Sequence, residues 1–189
     1  MKPINLVIAA SIFASTFMPF GHAAEQADAE TAKLLAALPS AKFSLSSGLV
    51  QVSKGSEVPI SAKYEMDDHG KLSLSIYTAE KGLAVEPEKN VLKEVAGSPE
   101  KASWSPETEV FKDVEHVARA SEHLVLSALA HKPLLALVKD ASARASGTVY
   151  SIAPSLEGRK AVFVVLVAKD DKVSTLIYEI PSGKFVEQK

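Results

Sequence analysis

Residues 147–184 read GTVYSIAPSLEGRKAVFVVLVAKDDKVSTLIYEIPSGK, and the fold depends on how the middle of this stretch is taken. AVFVVLVA at 161–168 is a nearly unbroken apolar run rich in valine. It is too short for a helix apolar on every side, so it reads as a central strand covered on both faces. A shorter strand at 148–152 precedes it, Asp170-Asp171 supply a turn, and 173–180 return as a third strand. Upstream, PLLALVKDASARA at 133–145 has a proline in its first turn and an apolar stripe at Leu134, Leu135, Leu137 and Val138. That predicts a helix packed by one face and stopped at Gly147. A helix followed by antiparallel strands predicts an α+β fold, an antiparallel sheet backed by helices on one face.

The N-terminal half follows the same logic. Residues 25–38 (EQADAETAKLLAAL) are rich in helix formers, carry Leu34, Leu35 and Leu38, and are followed by Pro39, which predicts a short helix or N-terminal arm. In SLSSGLVQVSKGS at 44–56, Ser44 or Ser46 is placed to cap a helix on which Leu45, Leu49 and Val52 recur, although Gly48 weakens it. Ile60, Ala62, Tyr64 and Met66 then alternate with Ser61, Lys63 and Glu65. After Asp67-Asp68-His69-Gly70 the alternation resumes through Leu72, Leu74 and Ile76 with Ser73 and Ser75 between them. This is a β-hairpin with one apolar and one wet face.

Between the two halves, 82–111 dissolve into proline, glycine and charge, with one short helix predicted in PEKNVLKEVAG at 87–97. Residues 113–120 predict a helix, and HLVLSALA at 123–130 fits helix and strand equally. The chain therefore divides into a leader at 1–23, a helix-plus-hairpin unit at 24–83, a connector with a short helix at 84–112, and a C-terminal unit at 113–189. An internal echo pairs KLSLSIYTAEKG at 71–82 with KVSTLIYEIPSG at 172–183. A second register pairs 60–77 with 149–166 equally well by hydrophobic pattern, so periodicity leaves the alignment open.

The helix at 133–145 together with residues 147–184 resembles a PepSY domain, over about the last third of the chain. In that family the closing strand ends in Asp-x-x-Thr-Gly; here Glu179-Ile180-Pro181-Ser182-Gly183 stand in its place, with Glu for Asp and Ser for Thr. The hairpin at 63–82 is a second, shorter copy that departs from the motif at Thr78 and Lys81. PepSY domains occur in propeptides of thermolysin-like secreted proteases and in other envelope proteins. The resemblance implies two PepSY-like units without catalytic residues, binding a protein partner in the envelope or medium and regulating or inhibiting a peptidase there.

The leader supports the compartment. Lys2, the apolar residues 4–17, Pro19, Gly21 and the small pair Ala23-Ala24 have the three-part layout of a secretory signal. The apolar run falls short of the roughly 18 residues a membrane span requires. The expected product is periplasmic or secreted, with no transmembrane span after cleavage. Cysteine is absent, so no disulfide framework, zinc-thiolate site or lipid-modified cysteine accompanies export. The formal net charge of −2 becomes −3 once Lys2 is lost, and acids and bases are interspersed, which argues against nucleic acid as a partner.

No residue pattern predicts an enzyme, a metal centre or a cofactor site. Glu115-His116 and Glu122-His123 repeat seven residues apart, a spacing that puts both histidines on one helix face about 10 Å apart, too far to share a metal. Asp67-Asp68-His69-Gly70 is turn chemistry rather than a calcium loop, which needs six or more oxygens. Ser98-Pro99-Glu100-Lys101 fits Ser-x-x-Lys only by letter, because it lies in the connector rather than at a helix start. Trp104 and Phe111, large aromatics in the connector, are expected to plug the end of a core. Two modes of action follow. One is capture of an extended peptide on a sheet edge, with 172–180 or 71–78 as the edge strand; the other is carriage of a small apolar ligand between sheet and helices.

The leader makes a direct prediction: cleavage after Ala23 leaves Gly21 and Ala23 in the small-residue positions, so N-terminal sequencing of the exported protein should begin at Ala24 or Glu25. Recovery of uncut Met1 in the membrane fraction contradicts it.

Overall fold

The computed structural model describes residues 24–170 and 172–189; the leader at 1–23 lies outside the described residues, as does Asp171 of the predicted turn. The architecture is α+β. In chain order come α1 (Ala24–Ala37), α2 (Leu45–Val52), β1 (Val58–Met66), β2 (Leu72–Ala79), β3 (Leu92–Gly97), β4 (Glu107–Val110), α3 (Val114–Ser127), α4 (Leu134–Ala145), β5 (Thr148–Glu157), β6 (Lys160–Lys169), β7 (Lys172–Glu179) and β8 (Phe185–Gln188). One antiparallel sheet runs β4-β3-β2-β1-β5-β6-β7-β8. Each half is thus two helices followed by a four-strand meander, and the halves meet where β1 pairs with β5. No helix among the described residues is long and apolar enough to cross a membrane.

The alternation read in the hairpin sorts its residues onto two faces. Ala62, Tyr64, Leu72, Leu74 and Ile76 join Val165, Phe163, Leu176 and Tyr178 in the main core, under α2 and α4. Ser44 caps α2 by accepting from the Ser47 N–H at 3.1 Å, and Leu45, Leu49 and Val52 are the face it buries. Gly48 is a contact rather than a weak point: a Cβ there would stand 2.8 Å from Ile76 Cδ1 and Leu74 Cδ2. At the end of α4 it is Ser146, with φ 50°, that adopts the left-handed conformation, and Gly147 lets the chain pass against the Ala168 carbonyl.

Three expectations are corrected. The helix predicted within 87–97 is a single 3-10 turn at Pro87–Lys89 followed by strand β3, because Leu92 and Val95 find partners opposite Ala79 and Ile76. Tertiary pairing overrides the local signal there. Gly97 is not a helix stop but the place where the Trp104 indole reaches the backbone, Nε1 donating to the Gly97 carbonyl at 3.0 Å. Trp104 is buried and stacks on Phe43, as a plug does. Second, helices lie on both faces: α3, which runs into the ambiguous 123–130 as far as Ser127, packs Ala120 and Leu124 against Ile60, Tyr77, Ala79 and Leu92 on the face opposite α2 and α4. Third, neither predicted edge is an edge. The strand at 71–78 lies between β1 and β3, the strand at 172–180 lies between β6 and β8, and the outermost strands are β4 and β8.

The repeat also acquires a register. A bulge adds Ile60 to β1 and Tyr150 to β5, and Ala62 pairs with Ile152 across the junction, so Ile60, Ser61 and Ala62 correspond to Tyr150, Ser151 and Ile152. Ladder partners then equate Ile76 with Val165. The alignment of 60–77 with 149–166 is therefore right for β2 and β6 and one residue out for β1 and β5. The alternative alignment equates β2 with β7, which hold different places in the sheet. Glu179-Ile180-Pro181-Ser182-Gly183 forms the β7–β8 turn: the Gly183 N–H donates to the Glu179 carbonyl at 2.8 Å, and Ser182 Oγ donates to Glu179 Oε2 at 2.5 Å.

Val165 has no solvent exposure and lies in the main core. Val165→Asp strands a carboxylate without a partner, at a cost of several kcal/mol, and should abolish the cooperative thermal transition seen by circular dichroism. A soluble variant that melts cooperatively contradicts this packing.

Candidate functional site

The second sheet face, read as wet from the sequence, is the floor of a groove. Asp113 caps α3 by accepting from the His116 N–H at 2.9 Å, and the apolar stripe Ala120–Leu124 seats the helix over β1, β2 and β3. The helix leaves part of β5 and β6 uncovered. A groove of about 500 Å³ remains between α3 and the sheet. Its floor is Ala153, Val164 and Leu166, all half-buried, and its wall is Val114 and Ala118 of α3. Val164 and Leu166 are the outward members of the 161–168 run, so the strand is apolar on both sides because one side packs in the core and the other lines this groove.

The other end of the groove is polar. Lys63 and Glu65 form a close ion pair on β1, and Ser75 donates to the Glu94 carboxylate across β2 and β3. Burial pushes the Glu94 carboxyl up, more than the Ser75 hydroxyl pulls it back. Burial likewise raises the Tyr77 phenol. From α3, Arg119 approaches Glu115 at 3.7 Å.

His123 and Ser61 come together here from positions far apart in the chain, Nδ1 and Oγ lying 3.0 Å apart. This is a nucleophile-and-base pairing that the sequence did not reveal, since the residues share no motif. Its electrostatics favour a neutral imidazole. Burial pushes the His123 imidazole down to about 4, and the nearby Arg119 and Lys63 charges push in the same direction. A general base must become a stabilised cation during the reaction and works best with a pKa near ambient pH. Here desolvation and two neighbouring cations disfavour that cation.

The remaining sequence candidates are accounted for by structure. His116 lies against Asp113, Nδ1 at 2.9 Å from Oδ1 and Oδ2, and stacks on Phe111. The two histidines of α3 thus face different partners, and among the described residues no group of His, Cys, Asp and Glu has the arrangement of a metal site. Asp67 Oδ1 accepts from the N–H groups of His69 and Lys71 at 2.9 and 2.8 Å, which makes 67–70 a turn closed on itself. Ser98 and Glu100 stand in the loop whose Pro99 carbonyl accepts from the Lys42 and Phe43 N–H groups.

No protein-family model matches the chain, and no curated protein matches it. A search of solved structures finds a chain from Clostridium difficile 630 whose own assignment as a lipoprotein is provisional. It shares 10% identity over 79% of this chain and 93% of its own length, with a TM-score of 0.39. At that degree of likeness nothing about site or activity passes from one chain to the other.

The depressed His123 pKa has a measurable consequence. An imidazole that titrates near 6.5 when unfolded and near 4 when folded binds protons preferentially in the unfolded state between those values. Its stabilising share is present above pH 6.5 and is lost as pH falls toward 4. Glu94, raised in the fold, contributes with the opposite sign at the acid end. His123→Asn keeps a polar atom near Ser61 and removes the titration. The stability difference between wild type and this variant, followed by urea unfolding, should therefore shift against the wild type as pH falls from 7 to 4.5. A difference independent of pH contradicts the buried neutral imidazole.

Proposed function

We propose that this protein is an exported binding protein without catalytic activity, whose groove between α3 and the sheet takes a small, largely apolar ligand. The observation that carries this reading is the uncovered apolar floor of Ala153, Val164 and Leu166 beside a band of polar side chains already bonded to one another. About 500 Å³ is within the range of small-molecule sites, which are mostly apolar with a few polar groups to fix orientation. An apolar guest on that floor removes half-buried valine and leucine surface from water at roughly 25 cal/mol per Å². Its polar end meets Lys63, Ser75 and Tyr77. The absence of catalysis rests on the electrostatics of His123, where burial and the Arg119 and Lys63 charges oppose the protonated state a base must pass through.

A second reading is supported by the two outer strands of the sheet. The PepSY resemblance implies a protein partner in the envelope or medium, a peptidase among the candidates, and β4 and β8 have no strand on their outer sides among the described residues. Main-chain groups on such an edge accept an extended segment as an added strand.

Fluorescence of 1-N-phenylnaphthylamine, an apolar probe, tests the first reading. Ala153→Trp fills the floor and should weaken probe binding at least about tenfold, with the thermal midpoint kept close to that of wild type. Native mass spectrometry of the protein from a periplasmic extract should show a bound small molecule. Absence of probe binding, or unchanged binding in the variant, overturns the groove. Ester or peptide hydrolysis that disappears in Ser61→Ala replaces binding with catalysis.

A further inference from the structure

We propose that the start of β8 and the facing side of α4 form a capture site for the C-terminal carboxylate of an extended peptide. This rests on the edge-capture reading and is independent of the groove, which lies on the other face of the sheet. A hollow of about 580 Å³ opens between α4 and the β7–β8 turn, bordered by Lys132, Asp140, Arg144 and Lys184. Three cations face one acid there. Asp140 is already committed, accepting from Arg144 Nε at 2.5 Å and from the Tyr178 hydroxyl at 2.8 Å. Arg144 uses one nitrogen for that bond, and a guanidinium has five N–H donors. Lys132 donates to the Gly183 carbonyl at 3.2 Å, using one of its three donors. The Lys184 ammonium, on the exposed first residue after the turn, makes no hydrogen bond or ion pair among the described residues.

Geometry ties this charge to the sheet edge. The Arg144 guanidinium lies 4.4 Å from the centroid of the Phe185 ring, over the first residue of β8. Lys189 and Thr175 exchange both of their main-chain hydrogen bonds, and Glu187 pairs with Ile177. In an antiparallel ladder inward and outward main-chain groups alternate, so those of Gln188 point to the outside; at the head of the strand the Lys184 carbonyl turns inward to accept from the Glu179 N–H at 2.9 Å, which leaves those of Phe185 outside, with Val186 the extra residue of a bulge between them. A guest strand antiparallel to β8 bonds first to Gln188 and runs toward the outward groups of Phe185. Its C-terminus then arrives at Lys132, Arg144 and Lys184. A parallel guest would bring an ammonium to the same cations, so the charge selects both direction and terminus.

The test uses the full mature chain and the labelled peptide Thr-Val-Thr-Ile-Val as its free acid and as its C-terminal amide, with fluorescence anisotropy as the readout. The acid should bind at least about tenfold more tightly than the amide, and the preference should shrink as salt rises. Lys184→Gln, which removes a side chain without a partner, should reduce the acid's advantage several-fold and leave phenylnaphthylamine binding in the groove unchanged. Gln188→Pro, which removes an outward N–H, should weaken both peptides. Equal affinity for acid and amide, or a Lys184→Gln variant that keeps the full preference, overturns the carboxylate site while leaving edge capture standing. Failure of both peptides to bind overturns edge capture as well.

Discussion

At the centre of the sheet Ala62 faces Ile152 and Lys63 faces Ser151, and these two pairs are the whole ladder between β1 and β5. Each strand reaches the junction through a bulge, one extra residue that kinks it and sharpens its twist. The halves of the chain are otherwise joined by packing: α2 against α4, and α3 against β1, β2 and β5. So short a ladder holds because both faces are covered where it lies. Ala62 and Ile152 are sealed in the main core, while Ser61 beside them is held from the other side by His123. Shifting either strand by one residue would send its apolar set to the wrong face.

The same junction creates the groove. α3 belongs in sequence to the start of the second half, yet it packs on β1, β2 and β3 of the first as well as on β5, and it leaves part of β5 and β6 open as the groove. Polar side chains on that face are bonded in pairs rather than left open to a reactant. Lys63 with Glu65, Ser75 with Glu94, and Ser61 with His123 each consume a group that taken alone resembles part of a catalytic set. Buried polar groups must be satisfied, and here they are satisfied within the protein.

The edges of the sheet are managed differently from its faces. β4 and β8 are four residues each, the length at which an edge is least able to recruit another chain. β4 is exposed throughout and places Glu107 and Glu109 on one side, opposite Ala96 and Glu94. On β8, Glu187 pairs with Lys189, the residue just past the strand, at 3.0 Å. The difference lies beside the strands: Arg144 of α4 and Lys132 just before that helix stand at the head of β8, so that an outer strand adjoins a surplus of positive charge.

Local periodicity determined a large part of this. The hairpin at 60–76, the Ser44 cap, the one-sided helix at 134–145 and the apolar strand at 161–168 are all legible, because a period of two or of 3.6 is written in neighbouring residues. Trp104 as a plug and 67–70 as a turn are legible for the same reason, since size and turn chemistry act at short range. Tertiary structure alone decided the rest. β3 and β4 are strands because β2 offers them a ladder. The polar side of the hairpin became one end of a groove because α3 lies over it. Ser61 meets His123, and Lys184 borders the same hollow as Arg144, because the sheet brings together residues that no local pattern connects. The edges fall at β4 and β8 for the same reason: whether a strand ends a sheet depends on what pairs beside it, and that is a property of the assembled fold.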